Sequence, residues 1–101
     1  MKKKILIFGS GSIGTHHANA GVSLNNEVYI TDINNEQLLN MKNNIYPNRY
    51  KKWNKKIKLV NYNQVSNLKK KFDLIIVGVP PKNHLNVLKL CFKKIKFKKI
   101  L

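Results

Sequence analysis

Three glycines near the start of the chain constrain its fold more than any other feature. They are Gly9, Gly11 and Gly14, in the spacing G-x-G-x-x-G. An apolar run at residues 5–8 precedes them directly and is typical of a strand buried on both faces. A helical pattern over residues 13–24 follows them. A glycine turn in this position requires a strand and a helix that pack directly on each other.

Apolar runs and helical patterns alternate along the rest of the chain. Further strands are predicted over residues 28–31, 57–60 and 74–77, and residues 99–101 begin a fifth. Helices are predicted from three apolar stripes: Leu38, Met41 and Ile45, ended by Pro47; Val65, Leu68 and Phe72; and Leu85, Leu88 and Phe92, with Asn83 as the N-cap. The expected fold class is α/β, a doubly wound parallel sheet (Rossmann-like) of about five strands with helices on both faces, in one domain at 1–101.

Composition narrows the class of protein. A strongly positive net charge, here +16, is one feature of nucleic-acid-binding proteins. However, Arg49 is the only arginine, and abundant lysine, asparagine and isoleucine are typical of an AT-rich genome. Because arginine is the preferred residue for phosphate and base contacts, nucleic acid is not the expected partner. Cys91 is the only cysteine, so the chain cannot form an internal disulfide. Its helical spacing from Leu85 and Leu88 predicts a core position.

The opening residues also resemble a secretory leader, with three lysines and an Ala-Asn-Ala ending. A leader needs an apolar stretch of roughly 7–15 residues, and here glycines and serines interrupt it after residue 8. No other apolar run approaches the length of a membrane span. We therefore expect a cytoplasmic protein without a membrane partner.

The glycine turn predicts a dinucleotide site. Gly9 allows a tight turn, Gly11 lets the backbone approach a pyrophosphate, and Gly14 lets the helix pack closely on the first strand. The unpaired N–H groups at the helix start favour phosphates. Asp32 ends the second predicted strand, at the position where an acid accepts hydrogen bonds from ribose hydroxyls. Its charge repels a 2′-phosphate, which favours NAD over NADP; the alternative role of Asp32 is an N-cap for the next helix.

The chain resembles the Gfo/Idh/MocA oxidoreductases. The resemblance lies in Gly9-Ser-Gly-Ser-Ile-Gly-Thr-His-His17, in Asp32, and in Val79-Pro80-Pro81-Lys-Asn-His84, which is similar to that family's T-P-x-x-x-H loop. Val79 departs from the usual threonine, so that a side-chain hydrogen bond is absent there. The resemblance implies these cofactor-binding residues: Gly9, Ser10, Gly11, Ser12, Ile13, Gly14, Asp32, Val79, Pro80 and His84.

The resemblance also implies a function. The full enzyme passes a hydride between nicotinamide and a sugar or cyclitol hydroxyl, with the substrate held by a second domain. The Glu-Lys-Pro motif that supplies the family's lysine is absent from residues 1–101. We therefore expect an N-terminal cofactor domain that has no catalytic residue of its own and little or no activity alone.

Two other classes of function compete with this interpretation. A nucleotide-sensing regulatory module, of the kind that gates channels, also pairs the glycine turn with an acid, although the loop from Pro80 to His84 argues against it. Tyr46, Tyr50 and Trp53 lie among basic residues, a pattern seen in single-strand nucleic-acid binders, but rings that cover a sheet edge give the same pattern. The adjacent histidines 16 and 17 are a poor metal pair, and no cluster in the sequence supports a metal site.

Overall fold

The computed structural model describes residues 2–101. Its strands are β1 (Lys4–Phe8), β2 (Glu27–Asp32), β3 (Ile57–Asn61), β4 (Lys71–Val77) and β5 (Lys96–Ile100). Its α-helices are α1 (Ser12–Ser23), α2 (Asn35–Asn40), α3 (Tyr46–Tyr50) and α4 (Pro81–Lys94). All neighbouring strands pair in parallel, in the order β3-β2-β1-β4-β5. This is the doubly wound sheet that the sequence predicts.

The core lies on both faces of the sheet. Alternate residues of β1 point to opposite sides, so Ile5 and Ile7 pack in one cluster and Leu6 and Phe8 in the other. The first cluster includes buried residues of α1, α2 and α3, and the second includes buried residues of α4. The prediction of helices on both faces is confirmed.

Pro47 does not end the second helix, and that prediction is wrong. The helical backbone continues from α2 through one π-helical turn, Met41–Ile45, into α3, where Pro47 lies in the first turn. A proline ring ordinarily clashes with the carbonyl four residues earlier. In the π turn directly before the proline, hydrogen bonding spans five residues instead of four, and the N–H of Tyr46 donates to the carbonyl of Met41. The helix ends instead at Tyr50, and the next residue, Lys51, has a φ of +76°.

The predicted helix with Val65, Leu68 and Phe72 on one face is also wrong. Residues Tyr62–Asn67 form only a 3₁₀ turn, and Phe72 belongs to β4. Lys69 has a φ of +50°, outside the right-handed helical region, so the helical backbone is interrupted there. Phe72 is buried on the sheet, edge to face with Tyr29 at a centroid distance of 5.6 Å. Packing on the sheet overrides the spacing of these three residues.

Helix α4 presents a different face to the sheet from the one predicted. Val87 and Cys91 are fully buried, whereas Leu85 and Phe92 are 62% and 69% exposed. Two stripes with helical spacing run along this helix, and spacing alone does not say which one faces the sheet. Asn83 is not the N-cap, because the helix already begins at Pro81. In the part of the chain that the structure describes, no helix is long and apolar enough to cross a bilayer.

The core position predicted for Cys91 is confirmed, and it has a consequence at alkaline pH. Burial raises the pKa of this thiol to about 11. An unfolded thiol ionises near its ordinary value, so stability is fully present below that value and falls as the pH rises toward the folded pKa. We expect a loss of roughly 1–2 kcal/mol between pH 8 and pH 10. Urea unfolding of the wild type and of Cys91→Ala checks this: the alanine variant loses less over that range, and equal losses contradict it.

Candidate dinucleotide-binding site

The turn between β1 and α1 passes between the ends of two neighbouring strands. Gly9 has a φ of +109°, which L side chains rarely adopt, and its N–H donates to the carbonyl of Thr31 at 2.8 Å. A Cβ atom at Gly9 would lie 2.4 Å from the carbonyl oxygen of Gly78. The N–H of Gly78 in turn donates to Phe8 at 2.7 Å. Backbone from β1, β2 and β4 therefore meets at this turn with no room for a side chain.

The other two glycines of the turn have opposite surroundings. A Cβ atom at Gly14 would lie 1.9 Å from the carbonyl oxygen of Gly9, so helix α1 packs against the turn itself. The sequence predicts close packing on β1; the nearest atoms belong instead to the Gly9 carbonyl and to Ile30. A Cβ atom at Gly11 would meet nothing within 4 Å. The space over Gly11 is open to a ligand.

Asp32 fastens this turn to the end of β2. Its Oδ2 accepts hydrogen bonds from the backbone N–H of Ser10 at 2.8 Å and from the hydroxyl of Ser10 at 2.9 Å. Its Oδ1 accepts from the N–H of Asn34 at 3.0 Å. Asp32 is not the N-cap of the next helix, since Asn34 takes that role through the N–H of Glu36. An ionised carboxylate has about four acceptor positions, so one remains for a ligand.

An open cleft of about 590 Å³ lies over the carboxyl ends of the central strands. We call it the cofactor cleft. It lies where the strand order reverses, between β1 and β4, and ligands bind at this position in open α/β sheets. Its lining residues are Gly9, Gly11, Asp32, Ile33, Asn34, Gln37, Gly78, Val79, Pro80, Lys82 and Asn83. Five of the residues predicted from the sequence therefore lie together in one cleft.

The other predicted residues lie around the cleft. Ser10 and Gly14 are buried beneath the turn, while Ser12 and Ile13 are exposed on the first turn of α1. The ring nitrogen Nε2 of His84 lies 2.8 Å from the carbonyl oxygen of Val79. This hydrogen bond joins the side chain of His84 to the backbone of the loop after β4.

Sequence reasoning missed several residues that line the cofactor cleft. Gln37 donates from its side chain to the carbonyl of Ser10 at 3.3 Å, and Lys82 brings a cation to the loop after β4. Both lie within the first helical turn after a strand. That place in the topology is the signal that identifies such residues.

Arg49 reaches the glycine turn from a distant part of the chain. Its Nη1 donates to the carbonyl of Ser12 at 2.9 Å, and its Nη2 contacts the hydroxyl of the same serine. The nearby rings cover one face of the sheet: Tyr46 is buried, and its hydroxyl donates to Asn19 at 2.9 Å. No pattern in the sequence indicates that the single arginine lies beside the start of α1.

Ser10 provides a test of the link between the turn and β2. Ser10→Ala removes a buried hydroxyl that donates to Asp32. We expect it to lower the free energy of unfolding by about 1–2 kcal/mol, because the acceptor is charged. Urea unfolding measures the change, with exposed Ser23→Ala as the matched control. A loss at Ser10 no larger than that at Ser23 contradicts the role of this hydrogen bond.

The strand order and the glycine turn define a Rossmann-type dinucleotide-binding domain. Over residues 5–96 the chain matches the family described as the saccharopine dehydrogenase NADP binding domain. The chain belongs to this family, and NAD(P) is its class of cofactor. The match supports a dehydrogenase domain and does not show the Gfo/Idh/MocA family. No curated protein matches the chain.

A solved structure has the same fold. The crystal structure of (S)-3-hydroxybutyryl-CoA dehydrogenase PaaH1 from Ralstonia eutropha superposes with a TM-score of 0.58 and 16% sequence identity. The similarity covers 98% of this chain and 41% of that chain. The chain thus spans less than half the length of that dehydrogenase, and the likeness concerns the fold alone.

Proposed function

We propose that this chain is the cofactor-binding domain of an oxidoreductase and that it prefers NAD to NADP. In the full enzyme, a hydride passes between nicotinamide and a hydroxyl-bearing carbon of a sugar or cyclitol, as the resemblance to the Gfo/Idh/MocA enzymes suggests. The observation that carries the proposal is the cofactor cleft, which places the open face of Gly11 and the carboxylate of Asp32 together.

The residues present fit a dinucleotide. The space over Gly11 would be filled by any side chain at that position, which is the property a close phosphate contact requires. The first N–H groups of α1 have no partner within the helix, and Arg49 adds a positive charge at its start. These groups would hold the pyrophosphate.

The ribose end supports NAD over NADP. All three donors to Asp32 are uncharged groups, two on Ser10 and one on Asn34. Among the described residues 2–101, no cation is in direct contact with the negative charge of Asp32, and this charge repels a 2′-phosphate. Its remaining acceptor position suits a ribose hydroxyl. The family's name specifies NADP, so the experiment has to compare both cofactors.

The loop after β4 would lie beside the nicotinamide. Val79 and Pro80 line the cleft, and His84 holds the carbonyl of Val79. When bound, the cofactor supplies the hydride chemistry, and this chain supplies binding and orientation. In this proposal, a second domain holds the substrate, and the lysine that assists proton transfer belongs to the Glu-Lys-Pro motif that follows the fifth strand in the similar family; both lie outside residues 1–101.

Backbone amide NMR of the labelled chain, titrated with NADH and with NADPH, tests the proposal. We expect saturable shifts of the amides at residues 9–14, 32–37, 79 and 82–83, with the lower Kd for NADH; residues 80 and 81 are prolines and have no amide N–H. Shifts confined to exposed lysine segments would overturn the cofactor site. Saturable shifts at the three segments with a lower Kd for NADPH would keep the site and overturn the preference.

A further inference from the structure

A second cleft lies at the amino-terminal ends of the strands, whereas the cofactor cleft lies at their carboxyl-terminal ends. It has a volume of about 610 Å³ and lies where β4 and β5 begin, beside the last turn of α4. Five lysines line it together with an apolar floor. The lysines are Lys69, Lys70, Lys71, Lys94 and Lys96, and the floor includes Val65, Leu68, Phe72 and Ile95. We call it the lysine cleft.

In the part of the chain that the structure describes, no acidic side chain lines the lysine cleft, and the four acidic residues lie elsewhere. Glu27 pairs with Lys58 at 3.1 Å, and Asp73 lies 3.5 Å from Lys98. Asp32 ends β2 and accepts a hydrogen bond from Ser10 of the glycine turn, and Glu36 lies in the first turn of α2. The charge of the lysine cleft therefore has no counter-ion among its own lining residues.

The sheet itself places like charges side by side in this cleft. Lys71 and Lys96 are register partners on the parallel strands β4 and β5. Like charges at opposed positions on neighbouring strands are destabilising. Lys94 ends α4, where the helix dipole favours a cation, but this accounts for only one of the five lysines. An anion bound among these side chains relieves the repulsion.

The shape of the cleft indicates the kind of anion. Its volume lies within the range of about 300–1,000 Å³ that small-molecule sites occupy. Val65 and Phe72 give it a buried apolar floor beneath the charged rim. Nucleic acid is ordinarily held along an extended groove with stacked bases, and no aromatic ring other than that of Phe72 lines this cleft.

We propose that the lysine cleft binds a small molecule with several phosphate groups and an apolar or aromatic part. The phosphates lie among four of the lysines, Lys69, Lys71, Lys94 and Lys96. The apolar part rests on the floor formed by Val65 and Phe72. Lys70 contributes less, because its ammonium group also lies over the ring of Tyr29, 5.8 Å from the centroid. This site is separate from the cofactor cleft and does not depend on the function proposed above.

Amide NMR with inorganic tripolyphosphate as the probe, at moderate salt, tests the charged part of the site. We expect saturable shifts at residues 66–72 and 94–96. The triple variant Lys69→Gln, Lys94→Gln and Lys96→Gln is expected to raise the Kd roughly tenfold or more, since three close cations are lost. The matched control changes three exposed lysines elsewhere, Lys42→Gln, Lys51→Gln and Lys56→Gln, and is expected to change the Kd by less than about twofold.

Equal weakening in the two triple variants, or shifts at all lysine segments without saturation, would overturn the proposal in favour of diffuse charge. Tighter binding of a single-stranded oligonucleotide than of tripolyphosphate at residues 66–72 would overturn it in favour of nucleic acid. The amide spectrum shows directly whether each triple variant is folded. If the first triple variant is unfolded, Lys96→Gln alone is compared with Lys56→Gln, and an equal Kd in these two variants counts against the site.

Discussion

Gly14→Ala is expected to lower the free energy of unfolding by about 3 kcal/mol or more, a large part of the stability of a small domain. The new Cβ atom would lie 1.9 Å from the carbonyl oxygen of Gly9 and 2.8 Å from its carbonyl carbon. Both atoms belong to the backbone, so no side chain can turn aside to relieve the contact. Urea unfolding of the variant measures the loss.

Gly11→Ala is the matched control for Gly14→Ala. Gly11 has a φ of −79°, which any residue adopts, and a Cβ atom there would meet nothing within 4 Å. We expect a change of less than about 1 kcal/mol in the free energy of unfolding. Equal losses at Gly11 and Gly14 would show that α1 does not pack on the turn as described.

Asp32→Ala is expected to weaken NADH binding about tenfold or more and to remove the preference for NADH over NADPH. Two causes act together, because the carboxylate both holds Ser10 in the turn and offers its charge to the ribose end of the cleft. Asp32→Asn removes the charge and keeps one oxygen that accepts from the two donors of Ser10, although its NH2 group no longer accepts from the N–H of Asn34. Fluorescence titration with each cofactor measures the two affinities.

The ratio of the two Kd values decides between these causes. In Asp32→Asn we expect the advantage of NADH over NADPH to shrink, as the repulsion of a 2′-phosphate is lost. An unchanged ratio, with both cofactors weakened alike, would assign Asp32 a role in the turn alone.

The sequence predicts the sheet and the glycine turn well because their signals are local. A continuous apolar run such as residues 5–8 indicates a strand that is buried on both faces of the sheet. Gly9 and Gly14 lie at positions where no side chain fits. Alternation of strands and helices then leaves few topologies. The cleft follows from the topology, and for this reason Gly11 and Asp32 are found in it as the sequence predicts.

The errors arise where tertiary packing decides between local patterns. Pro47 predicts a helix end, but the helical backbone continues through one π turn into α3. The apolar stripe predicts that Leu85 and Phe92 are buried, yet Val87 lies on the buried face of α4 in their place, beside Cys91, whose core position the sequence does predict. Contacts such as that of Arg49 with Ser12 join residues 37 positions apart, and no local spacing encodes them.

The central claim, a cofactor site on the glycine turn, is tested most directly by calorimetric titration of the 1–101 chain with NADH, beside Gly11→Val. We expect saturable binding by the wild type and none by the variant, although the variant remains folded, because its side chain fills the space that the pyrophosphate needs. Equal binding by the two proteins, or no binding by a folded wild-type chain, would contradict the claim.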